Sequence, residues 1–344
     1  MNTHIKALEE TTRHLSQAGK GILAADESMA TISKRFEALS IANSEDNRRA
    51  YRELLMGSPG LNQYIAGVIL FEETLNQSTS QGQKFSDFLR ANDILPGIKV
   101  DKGLVPLLHS HDEHTTQGLD GLAERLVEHR EQGACFAKWR AVYHISDHTP
   151  SSRLIKLNAQ GLAIYAATCQ ANGIMPIVEP EILLTGTHTI EQSATVTEKV
   201  LHAVFHALHK HHVALELMIL KPSMVISGHQ CIVKASVEDV GKKTVEVLRR
   251  TVPAAVPTIN FLSGGQSPEE ATAHLQVMNS QPNNPWHLSY SYARALQDMA
   301  MSSWGGQPNN LVAAQQIFIK RCKLNSLASL GQYQASMEND QTVA

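Results

Sequence analysis

Eight short apolar runs, starting about 30 to 45 residues apart and separated by stretches of helical periodicity, predict an α/β protein: a closed barrel of eight parallel strands wrapped by helices, a (β/α)8 or TIM barrel. The runs are apolar without alternation, as expected of strands buried on both faces in a parallel sheet. The length of 344 residues accommodates the roughly 250 that such a barrel needs, with extensions. One domain is expected over residues 1–330, with a helical extension before the first strand and a mobile tail over 331–344, where no hydrophobic period persists.

In chain order the candidate strands are Gly21–Ala25, Ile65–Phe71, Gly97–Val100, Cys135–Val142, Ile174–Val178, Ala214–Leu220, Val256–Leu262 and Trp286–Tyr292. The intervening stretches carry helix signals. Ser236-Val237-Glu238-Asp239 resembles a capping box, and Ser267-Pro268-Glu269-Glu270 puts proline at the first helical position with acids in the first turn. Val196, Val200, Val204 and Leu208 make one apolar stripe at four-residue spacing; Leu122 and Leu126 do the same ahead of the stop at Gly133. No GxGxxG or GxxxxGKS/T loop opens any helix, which argues against a nucleotide-binding open sheet.

A formal net charge of −3 provides no field for nucleic acid or an anionic membrane, so neither is an expected partner. Cys135, Cys169, Cys231 and Cys322 are far apart and contain no CxxC pair, which fits a reduced compartment better than a disulfide framework. No apolar run reaches membrane-spanning length, and the first residues lack a signal-peptide pattern, so a soluble, cytoplasmic protein is expected.

The sharpest functional signal is charge inside strands. Side chains alternate faces along a strand, so equal parity means a shared face. Lys138 and Arg140 share one in the fourth run, Glu179 and Glu181 at the end of the fifth, Asp26 and Ser28 just past the first, and Leu217, Ile219 and Lys221 in the sixth; Lys99 lies in the third. All fall toward strand C-termini, where barrel enzymes build their sites. A single strand-end charge is ordinarily a solvated tip. Five strands bearing both signs at one end read as a site, because buried charges cost several kcal/mol unless paired. Lys221, between an apolar run and Pro222, is the candidate nucleophile. A neutral amine attacks carbonyls, and apolar walls plus a neighbouring cation, here Lys138, favour that form of a lysine in general. Ser263-Gly264-Gly265 after the seventh strand and Ser291 to Arg294 after the eighth lie where barrels commonly hold phosphate.

Eight stretches together resemble the class I, Schiff-base-forming fructose-bisphosphate aldolases: GKGILAADES (19–28), GVILFEETL (67–75), GIKVDKG (97–103), FAKWR (136–140), PIVEPEIL (176–183), ILKPSMV (219–225), FLSGGQS (261–267) and SYARALQ (291–297). They occur in the family's order and span nearly the whole chain. The resemblance implies a lyase that cleaves fructose 1,6-bisphosphate through an imine on Lys221, with no metal and no other cofactor. It implies that Glu179 carries most proton transfers, that Asp26 and Lys138 support the hydroxyls and charge of the reacting centre, and that Glu181 sets the electrostatics near Lys221. Ser263, Gly264, Gly265, Ser291, Ala293 and Arg294 would hold one phosphate; Ser28, Thr31, Arg35, Lys99 and Arg140 would surround the other or the sugar chain. A homotetramer acting on small sugar phosphates is implied as well.

Three rival readings differ in class. A metal-dependent enzyme would use some of the 17 histidines, but His202, His206 and His209 read as a solvated helix face, and neither they nor His111-Asp112-Glu113-His114 have HExxH spacing. A scaffold without catalysis would have lost strand-end charges, yet Asp26, Lys138, Glu179 and Lys221 are all present. A Schiff-base aldolase for another phosphorylated ketose, such as sedoheptulose 1,7-bisphosphate, differs only in preference. Departures from the family pattern are Met29-Ala30-Thr31 in place of Thr-Gly-Ser, Ala293 in place of glycine, and Ala344 where animal enzymes carry a terminal tyrosine, for which Tyr333 is the candidate stand-in. The last departure predicts C3 proton exchange that is slow relative to cleavage. Detritiation of C3-labelled dihydroxyacetone phosphate measures it, and exchange as fast as cleavage would contradict the reading.

Overall fold

The chain's computed structural model describes residues 4–340. Eight parallel strands close the barrel: β1 Gly21–Ala25, β2 Ile65–Leu70, β3 Leu95–Lys99, β4 Phe136–Tyr143, β5 Met175–Ile182, β6 Ile219–Leu220, β7 Thr258–Phe261 and β8 His287–Tyr292. Each pairs with its neighbours in sequence, and β8 returns to β1 through Ile22 opposite Ser291 and Leu23 opposite Tyr292. The helices are α1 Ile5–Leu15, α2 Met29–Ala38, α3 Glu45–Met56, α4 Glu72–Asn76, α5 Phe85–Ala91, α6 Leu122–Glu131, α7 Ser152–Ala171, α8 Ile190–Lys210, α9 Val237–Thr251, α10 Pro268–Asn279, α11 Arg294–Trp304 and α12 Leu311–Ser329. An antiparallel ribbon, Leu104–Pro106 with His114–Thr116, inserts between β3 and α6.

Local sequence chemistry explains most of these boundaries. Pro268 and the acids Glu269 and Glu270 stand in the first turn of α10 as expected, Ser267 and Glu270 also form a reciprocal cap there, and Thr189 with Gln192 does the same for α8. At α9 only half of the expected box forms. Ser236 accepts from the Asp239 backbone N–H at 3.1 Å, but the Asp239 carboxylate takes the Ser236 hydroxyl at 2.6 Å instead of reaching back to its N–H. Aspartate is one methylene shorter than the glutamate of the usual box.

The sixth strand is shorter than the apolar run predicts. Gln170 of α7 binds the Ala214 N–H at 3.0 Å and carbonyl at 2.8 Å, and the Leu217 carbonyl at 3.1 Å. Those backbone groups are therefore satisfied by a side chain, and Leu215–Leu217 winds as a 3₁₀ turn before the two-residue strand.

Two apolar layers result. A large one lies between strands and helices; a smaller one fills the barrel axis with Ile22, Ala24, Ile69, Phe136, Met175, Ile177 and Ile219. Leu8 and Leu15 of α1 belong to the axial layer, so the predicted N-terminal extension plugs the floor of the barrel. Gly97 leaves the axis open for the Phe136 ring, which a Cβ there would overlap. With the floor closed, the charged residues further along the same strand faces point to the other end.

Residues 331–340, where mobility is expected, are docked instead. Tyr333 is 7% exposed, its N–H donates to Gln276 at 2.7 Å, and its hydroxyl donates to Glu338 at 2.9 Å. Glu338 in turn receives both terminal nitrogens of Arg321 at 2.8 Å. One buried ring and one two-pronged ion pair substitute for the missing hydrophobic period. Ala344 and the rest of 341–344 lie outside the described residues. Truncating the plug, Leu8→Ala, is expected to lower unfolding free energy by about 2–5 kcal/mol, because a fully buried leucine leaves a cavity. Urea titration checks it; an unchanged midpoint would mean that α1 is dispensable to the barrel.

Candidate active site

The C-terminal end of the barrel opens into a cavity of about 290 Å³ lined by most of the predicted residues. They arrive there through strand parity. Phe136 faces the axis, so Lys138 and Arg140 do too; Met175 and Ile177 place Glu179 and Glu181; Ile219 places Lys221. The ladder continues past β6, since the Lys221 N–H donates to the Val178 carbonyl at 2.8 Å. Ser223 then fastens the following turn to β5, accepting from the Ile182 N–H at 2.8 Å and donating to its carbonyl at 3.0 Å.

Glu179 lies at the centre. One oxygen is 3.2 Å from the Lys221 ammonium nitrogen and the other 3.1 Å from that of Lys138. Lys138 also meets Asp26 at 2.9 Å and Asp101 at 4.0 Å, and Asp101 meets Lys99 at 2.7 Å. Arg140 pairs with Glu181. Lys138, Glu179 and Lys221 are 3–4% exposed, so each charge survives burial only through its partners. Burial alone would drive the Lys138 ammonium toward neutrality, but Asp26, Glu179 and Asp101 hold it well above the usual lysine range. Burial likewise opposes ionisation of Asp26, and Lys138 and Lys221 override it, lowering its carboxyl to about 2. Glu181 is held below its ordinary value against burial, chiefly by Arg140.

Around this network stand groups suited to anions. After β7, Gly264 and Gly265 take φ of 59° and 99°, a turn that side-chain-bearing residues resist. Gln266 braces it by donating to the Ser263 carbonyl at 2.9 Å, and His274 supports Gln266 at 2.6 Å. Burial lowers the His274 ring to about 4, with Glu270 opposing weakly, so the neutral ring donates from Nδ1 to the amide oxygen. Ser291 faces the cavity with a buried hydroxyl that has no partner among the described residues. Ala293 takes φ −102° and lies on the same lining. Arg294 completes that wall. Also on the lining, Ser28 caps α2, bonded to the Thr31 hydroxyl at 3.1 Å, so a helix N-terminus faces the opening. Lys99 and Arg140 stand nearby on the lining.

Two predicted residues lie elsewhere. Arg35 is drawn away from the cavity by Glu27, by Asp298 at 2.8 Å and by Gln297 at 2.8 Å, so its fork is already occupied. Gly265 sits behind Gly264, where a Cβ would approach His229 and Arg294. Tyr333, the candidate stand-in for a terminal tyrosine, is not on the lining. Sequence reading missed Asp101 and Glu27. Asp101 had a signal, equal parity with Lys99 two residues earlier; Glu27 had none, because its partners Arg35 and Arg52 are chosen by folding. His202, His206 and His209 are exposed on α8. Glu113 accepts from the Ser151 N–H and hydroxyl at 2.6 Å, a structural role at the start of α7. Among the described residues no group of three or more potential ligands is placed to hold a metal ion.

Removing one member of the network should strand its neighbours. Lys138→Met is expected to destabilise the fold by about 3–5 kcal/mol by leaving Asp26 and Glu179 short of a counter-charge. Adding Asp26→Asn should recover part of that loss in a double-mutant cycle read by urea unfolding. Strict additivity would show that the two side chains are not coupled.

Comparison with known proteins gives concordant matches. The family model described as Fructose-bisphosphate aldolase class-I matches residues 7–344. A fructose-bisphosphate aldolase of Dictyostelium discoideum is 55% identical over 326 residues, covering 94% of this chain and 91% of that one. Fructose-bisphosphate aldolase 2 of Caenorhabditis elegans is 53% identical, with 95% and 89% covered. Among solved structures, a ternary co-crystal structure of the Plasmodium falciparum fructose-bisphosphate aldolase with TRAP and a small-molecule inhibitor superposes with a TM-score of 0.94 at 49% identity, covering 96% of each chain.

Proposed function

The chain belongs to the class I fructose-bisphosphate aldolase family, and from that premise we propose that it cleaves fructose 1,6-bisphosphate reversibly to dihydroxyacetone phosphate and glyceraldehyde 3-phosphate, by way of an imine on Lys221. The observation that carries the mechanism is Glu179 bridging Lys221 and Lys138 inside a buried cavity.

Lys221 gives a proton to Glu179 and attacks the C2 ketone through the freed lone pair of Nζ. Glu179, 3.2 Å from that nitrogen, moves the protons as the carbinolamine loses water. The iminium is an electron sink. When the C3–C4 bond breaks, its electron pair enters an enamine that ends on Nζ, and the C4 hydroxyl yields its proton to Glu179 as the aldehyde forms. Protonation of the enamine at C3 and hydrolysis return dihydroxyacetone phosphate and the free amine. Lys138, kept cationic by three carboxylates, and Asp26, kept ionised, supply fixed charges to the hydroxyls around the breaking bond. Glu181 with Arg140 tunes the field beside Lys221.

A bisphosphate fits the two anion-binding walls. Ser263, Gly264, Ser291, Ala293 and Arg294 would form one, and Ser28, Thr31, Lys99 and Arg140 the other, all lining the cavity that holds Lys221. Lys221 as covalent partner leaves the reaction without need of a metal or organic cofactor. A homotetramer in the cytoplasm completes the reading. Leu157 and Ile164, seven residues apart on α7, are 47% and 38% exposed, an apolar face suited to a second copy. Relatives at 50–53% identity include both cytosolic and chloroplastic aldolases of Arabidopsis thaliana, and among the described residues no helix is long and apolar enough to cross a membrane.

Borohydride reduction with dihydroxyacetone phosphate, in the presence of a chelator, is expected to fix an adduct on the peptide containing Lys221, and Lys221→Met to abolish both adduct and cleavage. Glu179→Gln should lower kcat by about 10²–10⁴. Absence of an adduct together with chelator-sensitive cleavage would overturn the imine assignment.

A further inference from the structure

The floor of the barrel carries a second concavity, about 720 Å³, between α1, α5, the end of α6 and the residues that lead into β4. It lies at the opposite end of β4 from Lys138 and Arg140, so it is separate from the site described above. Three guanidinium groups reach its wall, Arg13 from α1, Arg90 from α5 and Arg130 from α6. None of them forms an ion pair among the described residues. Among the described residues Glu10 is the one carboxylate on the wall, and His14, also on it, comes within 4.0 Å of Asp93.

Two of these arginines, Arg90 and Arg130, are held in position by neutral groups, and Arg13 stands exposed on the wall. Arg90 donates from one nitrogen to the Gly133 carbonyl at 2.7 Å and to the Cys135 sulfur at 3.0 Å. Arg130 donates to the Asn172 carbonyl at 2.8 Å, with His4 at 3.4 Å. Such bonds orient a guanidinium without neutralising it. Three cations facing one carboxylate leave an excess of two positive charges around an open volume. That surplus has no counterpart elsewhere on the described wall, and arginines from three helices line it, residues whose planar forks suit the oxygens of phosphate or carboxylate groups.

We propose that this cavity at the closed end of the barrel binds a compact multivalent anion, bearing phosphate or carboxylate groups, through Arg13, Arg90 and Arg130. The ligand would touch α1, whose opposite face plugs the barrel through Leu8 and Leu15. The site thus grips the element that closes the floor.

Cys135 offers a built-in reporter. It is the one partly exposed cysteine, lies on the cavity wall, and contrasts with buried Cys169, Cys231 and Cys322. Burial raises its thiol above the ordinary range, with Arg90 only partly opposing, so alkylation is run at pH 9. The full-length native protein is treated with iodoacetamide, and modification of the Cys135 peptide is followed by mass spectrometry with pyrophosphate, citrate or sodium chloride at equal ionic strength. Saturable protection by pyrophosphate alone assigns a phosphate ligand; protection by citrate alone assigns a carboxylate; both support the site. Arg13→Gln combined with Arg90→Gln should remove the protection and leave fructose bisphosphate cleavage unchanged. Chloride protecting equally well, protection surviving in that variant, or none at all would overturn the proposal. Should the variant fail to fold, wild-type protein decides through reagent charge. Anionic iodoacetate should gain about tenfold on neutral iodoacetamide at low salt and lose that gain at high salt, as expected where local cations concentrate anions. A salt-independent ratio would count against it.

Discussion

A single carboxylate held between two buried ammonium groups organises the mouth of this barrel. Glu179 spans Lys138 and Lys221, and through Lys138 it connects to Asp26, Asp101 and Lys99. None of these charges is tolerable alone where it stands, since desolvation of a lone ion costs several kcal/mol. Alternation of sign makes the set viable, and it also keeps Lys138 cationic and Asp26 anionic. Chemistry that needs fixed charges around a reacting carbonyl therefore comes from the same pairing that lets the fold bury them.

The rest of the architecture serves that arrangement. The axis below the network is apolar and closed, with Phe136 filling the space that Gly97 leaves and α1 sealing the floor. A rigid floor fixes strand register, and register determines which side chains emerge at the rim. Ser223 and the 3₁₀ turn before β6 add local restraint to the segment carrying Lys221. The anion-facing groups sit on turns and helix starts instead of strands, where backbone N–H groups remain available.

Much of this was legible beforehand, for reasons that are local. Six of the eight strands coincide with apolar runs to within about two residues at each end, because a parallel strand covered on both faces needs an unbroken apolar stretch, while β5 continues past its run through Glu179 and Glu181. The caps of α8 and α10 are chemistry between residues three apart. Where reading failed, a distant group had intervened. Gln170 took the backbone of half the sixth run, Glu27 and Asp298 took Arg35, and Arg321 took Glu338 and with it the tail.

The sequence by itself determined the number and order of the strands, the face on which each charged residue emerges, and the motifs that identify the family, since periodicity and parity are properties of neighbouring residues. Tertiary structure alone decided the pairings: Glu179 between two lysines from different strands, Asp101 joining the network, Gly265 off the lining, and Arg13, Arg90 and Arg130 brought to one cavity at the barrel floor. Those partners are tens of residues or more apart in the chain. Their choice follows from barrel closure, which brings every strand end to one rim.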